Sequence, residues 1–213
     1  MTNNYDRRVI RTKKEIKETF ISLLEEKNFE KISVRDLTER AGINRGTFYL
    51  HYLDKYDLLD KLEGELFAKI QAIIDELPFT NHPDMEGFAK DRLVFIIRLL
   101  ECFREEADFM KVILSANGDA HFKEKIREVF VYNIEDVFSK ASEENQMHYP
   151  LELYYAYISS AHLGVLTYWL QTDSKEPPEM IANMLLDIIL KGPLAAIGLD
   201  RYFYGSSGDG FIK

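Results

Sequence analysis

Apolar residues recur every three to four positions along almost the whole chain, and strict alternation of apolar and polar residues is nearly absent. A period of about 3.6 gathers such residues on one face of an α-helix, whereas a strand needs a period of two. An all-α fold is therefore expected. Ile16, Phe20, Leu23 and Leu24 mark a first helix ending near Lys27-Asn28. Ser33, with Asp36 three residues on, opens a second in a near-capping-box arrangement, and Gly42 stops it. Asn44 can cap a short third helix reaching about Leu50, and Asp54 a long fourth, down which Leu58, Leu59, Leu62, Leu66, Phe67, Ile70, Ile73 and Ile74 repeat.

Pro78 and Pro83 bracket a break. Beyond it, Phe88, Phe95, Leu99 and Phe103 mark a fifth helix, Phe109 to Ala116 a sixth, and Phe122, Ile126, Val129, Phe130, Val137 and Phe138 a seventh. An eighth runs from Pro150 to about Thr172, and a ninth from Pro177-Pro178 to Gly192-Pro193, with a short turn through Ile197. The Gly/Ser-rich tail over 201–213 is expected to be disordered.

With 213 residues the chain can bury a sizeable core, and its single cysteine, Cys102, cannot close an intramolecular disulfide. Cys102 sits beside Leu99, Leu100 and Phe103, as buried filler would. No apolar run approaches the roughly 18 residues of a membrane span, and the start lacks a signal-peptide core, so a soluble cytoplasmic protein is expected. The five histidines show no paired spacing on one helix, and no Cys/His metal set, phosphate loop or nucleophile elbow is present. No catalytic residue, metal or cofactor is expected.

The formal net charge of −9 argues against a polyanionic partner until the chain is divided. Residues 1–62 carry 13 Lys/Arg and 11 Asp/Glu, a net +2, while 63–213 carry −11. Arg7, Arg8, Arg11, Lys13, Lys14 and Lys17 face only Asp6 and Glu15 within the first 17 residues. A basic head on an acidic body suits a polyanion at one end, because local charge sets the nearby field; a solvated basic tail has the same composition.

Two short helices joined by Ala41-Gly42-Ile43-Asn44 make a helix-turn-helix pattern. Such a unit presents its second helix to the major groove of DNA. Arg45 can reach guanine edges, Thr47 can touch bases or phosphate, and Tyr49, His51 and Lys55 offer phosphate donors. The stretch from Ser33 to Leu59, with its Ala-Gly-Ile-Asn turn, Gly46-Thr47-Phe48-Tyr49, His51-Tyr52 and Lys55 before Leu58-Leu59, closely resembles the DNA-binding signature of the TetR/AcrR family of bacterial transcriptional regulators. The match covers about residues 10–67.

The resemblance implies that Arg35, Arg45 and Thr47 face bases or nearby backbone, and that Ser33, Tyr49, His51 and Lys55 hold phosphates. It further implies that Asn44 belongs to the interface and that Gly46 keeps the recognition helix close to DNA. Tyr56-Asp57 departs from the Glu-Glu or Glu-Ala that the family often has at this exposed position, and the basic arm before Ile10 could add minor-groove or phosphate contacts. The implied organisation is a DNA-binding domain over 1–54, a connecting helix over 55–77 and an effector-binding and dimerisation domain over 78–200. The implied role is a bacterial, ligand-responsive repressor that binds double-stranded DNA at a palindromic operator as a homodimer, nucleoid-associated when bound. The rival reading is a helical dimer that has lost DNA binding and acts as an interaction scaffold.

The C-terminal half resembles a subgroup with Tyr154-Tyr155-Ala156-Tyr157, Gly164 and Tyr168-Trp169-Leu170. The eighth helix is apolar nearly all round and so must be covered on both sides. One row holds Leu151, Tyr155, Ile158, His162, Val165 and Trp169, and the other Tyr154, Tyr157, Ala161, Gly164 and Tyr168. With the ninth helix it can build a dimer interface, for which Ile158, Ala161, His162, Gly164, Val165, Trp169, Ile181, Leu185 and Ile188 are the candidates. His162 and Trp169 also fit core or pocket. A two-fold dimer would set the recognition helices about 34–36 Å apart. Phe95, Phe103, Phe130, Tyr132 and Tyr155 are candidates for an effector pocket suited to a hydrophobic or aromatic molecule, although aromatics at helical spacing are also what a plain core contains.

Overall fold

Ser33 shows how directly local chemistry sets the helix boundaries. Its hydroxyl accepts the Asp36 backbone N–H at 3.2 Å while its own backbone N–H donates to Asp36 Oδ2 at 2.8 Å, a complete capping box. Asn44 Oδ1 accepts from the Gly46 N–H at 2.9 Å, and Asp54 Oδ1 accepts from the Tyr56 and Asp57 N–H groups at 2.8 and 2.9 Å. These caps open α2 (Val34–Arg40), α3 (Arg45–Tyr49) and α4 (Lys55–Glu76), as the sequence predicts. α1 (Asn4–Glu26) precedes them, and a single 3₁₀ turn at Phe29–Lys31 stands between α1 and α2.

The computed structural model describes residues 4–76, 85–144 and 149–199. The Pro78–Pro83 break, the 201–213 tail and the side chains of Val137 and Phe138 lie outside the described residues. Beyond α4 come α5 (Met85–Glu105), α6 (Ala107–Ile113), α7 (Ala120–Glu144), α8 (Leu151–Gln171), α9 (Pro178–Lys191) and α10 (Pro193–Ala196). Among the described residues the fold is entirely helical.

The chain divides into two compact units, Met1–Ala72 with Glu106–Ile126, and Ile73–Glu105 with Arg127–Lys213. The first unit extends past the head expected over 1–54, taking in most of α4, all of α6 and the start of α7. α1 packs against α2 and α6. Ile16, Phe20, Leu24, Leu37, Phe48 and Leu58 are buried on the head side, and Phe109, Met110, Ile113 and Phe122 on the α6–α7 side. At about 25 cal/mol per Å² of apolar surface, burying such side chains dominates the stability of the unit.

Polar clamps fix these helices to one another. Glu106, just before α6, accepts from Lys17 of α1 at 2.7 Å and from Lys69 of α4. Burial works against the Glu106 carboxylate, but the two ammonium groups outweigh it and hold its pKa below the usual value. Buried Glu63 of α4 accepts from Lys125 of α7 at 2.6 Å, and here burial wins, pushing the carboxyl pKa up. The Phe29 N–H donates to the Asn117 carbonyl at 3.2 Å. Gly118 follows because a Cβ there would meet Ile113 O at 1.9 Å, so the loop from α6 to α7 needs a residue without a side chain.

In the second unit α5 and α10 both pack on α9. Its core contains Phe95, Leu99, Cys102, Phe103, Phe130, Ile158, Leu166, Trp169, Leu170, Ile181, Ala182 and Leu185, and the Cys102 expectation agrees with this placement. Trp169 Nε1 donates to the Glu176 carbonyl at 2.9 Å, which satisfies the indole N–H and ties the end of α8 to the start of α9. Gly192 ends α9 at φ 83°, in the left-handed region.

Candidate nucleic-acid interface

The turn between α2 and α3 is built from four residues with separate tasks. Ala41 receives the end of α2, and Gly42 takes φ 64°, which a side-chain-bearing residue rarely adopts. The Ile43 N–H donates to the Thr38 carbonyl at 3.1 Å, and Asn44 caps α3. Phe48 then anchors α3 inward with no exposed surface, its ring 5.5 Å from that of buried Tyr52. The short second helix is thus held by one aromatic and two ends, and its opposite face is left to solvent.

The expected contact residues separate into three groups. Arg45, Gly46 and Tyr49 lie exposed on α3 with Thr47 half-buried among them, and Arg35 is exposed on α2, its Nε donating to Glu39 at 2.6 Å. Ser33 and Asn44 are exposed as well, but their side-chain oxygens accept backbone N–H groups at the helix starts. Those two residues therefore orient the unit whether or not they meet a ligand. His51 is half-buried; burial, with help from Lys13 and Lys61, pushes its pKa down, so it is a neutral imidazole at pH 7.

Lys55 departs from the phosphate-donor role. Its ammonium donates to the Phe29 and Glu30 carbonyls at 3.0 and 2.8 Å and lies 4.7 Å from the centre of the Phe29 ring, leaving the side chain 12% exposed. The carbonyls at the 3₁₀ turn need donors, and a cation packed on an aromatic face supplies them. The basic arm is also different from an extended segment: α1 begins at Asn4, so Arg7, Arg8 and Arg11 stand on a helix, and Lys17 is held by Glu106.

Sequence reasoning named Lys13 only within the basic N-terminal run and passed over Lys61 and Leu50. Lys13 and Lys61 come from α1 and α4 to the neighbourhood of His51, and Lys61 also bonds the His51 carbonyl at 2.9 Å. Leu50, directly after α3, is 79% exposed and stands on the same outward side of the helix as Gly46. The basic count near the N-terminus was the signal for Lys13, whereas Leu50 looked like one more helical apolar position.

The second unit redraws the expected interface. Ile158, His162, Trp169, Ile181 and Leu185 are buried within the chain itself. The His162 Nδ1–H donates to the Ile158 carbonyl at 2.7 Å, and its ring lies 5.4 Å from that of Phe130; burial pushes its pKa down. Of the remaining candidates, Gly164 is exposed, while Ala161, Val165 and Ile188 are partly so. Their exposed neighbours on α8 are Leu153, Tyr157 and Tyr168, with Met180 and Met184 on α9. Among the pocket candidates Phe95, Phe103 and Phe130 are buried, whereas Tyr132 is 53% exposed and points away from a core role. Tyr155 is half-buried, and its hydroxyl oxygen is buried with no hydrogen-bond partner among the described residues. No cluster of His, Cys, Asp or Glu among the described residues is placed to hold a metal ion, and no described helix is long and apolar enough to cross a membrane.

A capped helix pair joined through a left-handed glycine, with the outer face of the second helix free, defines the helix-turn-helix class. Comparison with known families places the chain further. Residues 20–62 match the family described as bacterial regulatory proteins, tetR family, and residues 93–191 match a transcriptional regulator C-terminal region. The chain belongs to the TetR family, a family of transcriptional regulators rather than enzymes.

Among curated proteins it is 28% identical over 193 residues to YxbF of Bacillus subtilis, described as an uncharacterized HTH-type transcriptional regulator. That match takes in 86% of this chain and 46% of the relative, so the chain spans about half the length of the curated relative. Among solved structures it is similar to a TetR transcriptional regulator from Streptococcus agalactiae, with TM-score 0.57, 24% identity and coverage of 87% of this chain and 97% of that one. It is also similar to the fatty acid degradation regulator FadR from Bacillus halodurans, at 0.60 and 15%, covering 85% and 95%. FadR from Bacillus subtilis, solved in complex with stearoyl-CoA, gives 0.59 and 15%, covering 84% and 98%. At these identities the structures share the fold.

Proposed function

We propose that this chain is a sequence-specific, double-stranded DNA-binding repressor that acts as a homodimer on a palindromic operator and is released by a small-molecule effector. The observation that carries the reading is the outer face of α3, where Arg45, Thr47 and Tyr49 surround a glycine on a helix whose other face is locked by Phe48. In this reading residues 1–54 form the head, 55–77 connect it to the rest of the chain, and 78–200 sense and dimerise. Arg45 reads a base edge bidentately, and Thr47 and Arg35 contact bases or backbone. Tyr49 and neutral His51 donate to phosphates, with Lys13 and Lys61 supplying positive charge. Ser33, Asn44 and Lys55 hold the unit in shape.

The dimer forms through the exposed rows of α8 and α9: Leu153, Tyr157, Gly164 and Tyr168 with Met180 and Met184. A helix with apolar residues on its solvent face needs a cover, and a two-fold partner presents the same row in return. The effector enters among Phe95, Phe103, Phe130 and Tyr155; the three phenylalanines are buried, and the Tyr155 hydroxyl, buried with no hydrogen-bond partner among the described residues, offers a polar handle. The ligand in the Bacillus subtilis FadR structure, an acyl-CoA, belongs to that protein; here it supplies a first compound for screening, consistent with a hydrophobic effector.

Selection of bound duplexes from a random pool at near-physiological salt tests the reading. An inverted repeat should be enriched, and the selected duplex should bind far more tightly than a scrambled one. A folded dimer that enriches no sequence, with or without cell extract, would favour the scaffold reading instead.

A further inference from the structure

The outermost line of α3 contains no hydrogen-bonding side chain. Successive residues on a helix are separated by about 100°, so Gly46 and Leu50 both fall within about 20° of the point opposite buried Phe48. The Leu50 N–H donates to the Gly46 carbonyl at 3.1 Å, which keeps Leu50 in register with the helix although it follows the last helical residue. A Cβ on Gly46 would meet only Asn44 Oδ1, at 3.5 Å, and Gly46 is not in the left-handed region, so the free fold does not require glycine there. The missing side chain matters for what approaches from outside. It allows the helix to come close, and the side chain then standing furthest out along that line is the 79% exposed Leu50.

We propose that Leu50 is a base-reading residue that selects thymine through its 5-methyl group. The proposal rests on the DNA-binding reading given above. An isobutyl group can neither donate to nor accept from a base edge, and within the major groove the thymine methyl is the apolar feature a leucine can cover. Arg45 and Thr47, to either side, provide the polar contacts, so Leu50 adds discrimination where hydrogen bonding is absent. Leu53 gives an internal comparison: it is 78% exposed but lies past the helix, in the bend whose Leu53 N–H donates to Asp57 at 2.8 Å.

The experiment uses the duplex enriched from the random pool, with each thymine replaced in turn by deoxyuridine, which keeps the hydrogen-bonding edge and removes only the methyl. The full chain should bind one such duplex, or a symmetry-related pair, roughly three- to tenfold more weakly. Leu50→Ala should bind the thymine duplex more weakly and no longer distinguish it from the deoxyuridine one, with an unchanged melting temperature. Leu53→Ala should retain the distinction. Specific binding in which every deoxyuridine duplex matches its thymine parent would overturn the proposal while leaving the regulator reading intact. So would a distinction that survives in Leu50→Ala or disappears in Leu53→Ala. Failure to enrich any duplex would overturn both.

Discussion

α3 and α8 both bring apolar side chains to the surface, but they are specified in different ways. α3 is five residues long, opened by Asn44, closed just after Tyr49, and oriented by a single buried aromatic, Phe48. Its inward and outward faces follow from local chemistry. α8 runs for 21 residues with apolar groups nearly all round, and nothing local distinguishes the row through Ile158, His162 and Trp169 from the row through Tyr157, Gly164 and Tyr168. Packing makes that choice: the first row is covered by the rest of its own unit, and the second is left out. A short capped helix declares its working face, whereas a long uniformly apolar one does so only after its neighbours are in place.

Substitutions on the two faces of α8 should break this comparison most sharply. Trp169→Ala should cost about 3–5 kcal/mol by opening a cavity in the second unit and leaving the Glu176 carbonyl without its donor, a loss seen directly in thermal or denaturant unfolding. Tyr157→Glu with Tyr168→Glu should leave protomer helicity intact, since those side chains are exposed on the protomer, and should shift the dimer towards monomer in sedimentation experiments by placing charge in its interface. Equal effects on unfolding from both faces would contradict the assignment.

Smaller effects sharpen the account of the head. Lys55→Met should lower stability by about 1–3 kcal/mol, because it removes the ammonium that donates to the Glu30 carbonyl and leaves the Phe29 carbonyl with the Ile32 N–H alone. Its weaker DNA binding should follow from unfolding, with the slope of affinity against salt concentration unchanged when compared well below the melting temperature. Loss of one phosphate contact from that slope would return Lys55 to the interface.

The smallest effect concerns Asp36, whose carboxyl is held well below the usual range by the Ser33 hydroxyl first and by Lys27 and the Ser33 backbone N–H as well. A depressed folded-state pKa contributes stability above the unfolded value of about 3.9 and loses it as pH falls through the folded value. Wild type should therefore be more stable than Asp36→Ala at pH 7, and the gap should close in acid. A gap that widened as pH fell would reverse the sign and refute the capping-box account.

The legible parts of the molecule were those written in short-range chemistry. Ser33, Asn44 and Asp54 marked helix starts because a cap needs only its own next three residues, and Gly42 marked the turn because few residues accept its backbone angle. The role of Lys55 was hidden because the carbonyls it bonds lie 25 and 26 residues earlier, at a 3₁₀ turn that the sequence showed only as the exit of the first helix. Phe95, Phe103 and Phe130 have the same spacing whether they line a pocket or fill a core, and the structure buries all three. Leu50 entered the sequence reading only as the end of the third helix, because at the end of so short a helix no periodicity tells whether an apolar side chain faces in or out.

The central claim is that the outer face of α3 reads DNA sequence at close range. It is tested most directly by comparing wild type, Gly46→Ala and Arg45→Ala on the selected duplex and a scrambled one, with melting temperatures recorded alongside. The account predicts that wild type strongly prefers the selected duplex and that Gly46→Ala loses most of that preference without a fall in melting temperature. Arg45→Ala should lose about 1–3 kcal/mol and tolerate any base at one operator position. Undiminished preference in both variants, with the fold intact, would contradict it.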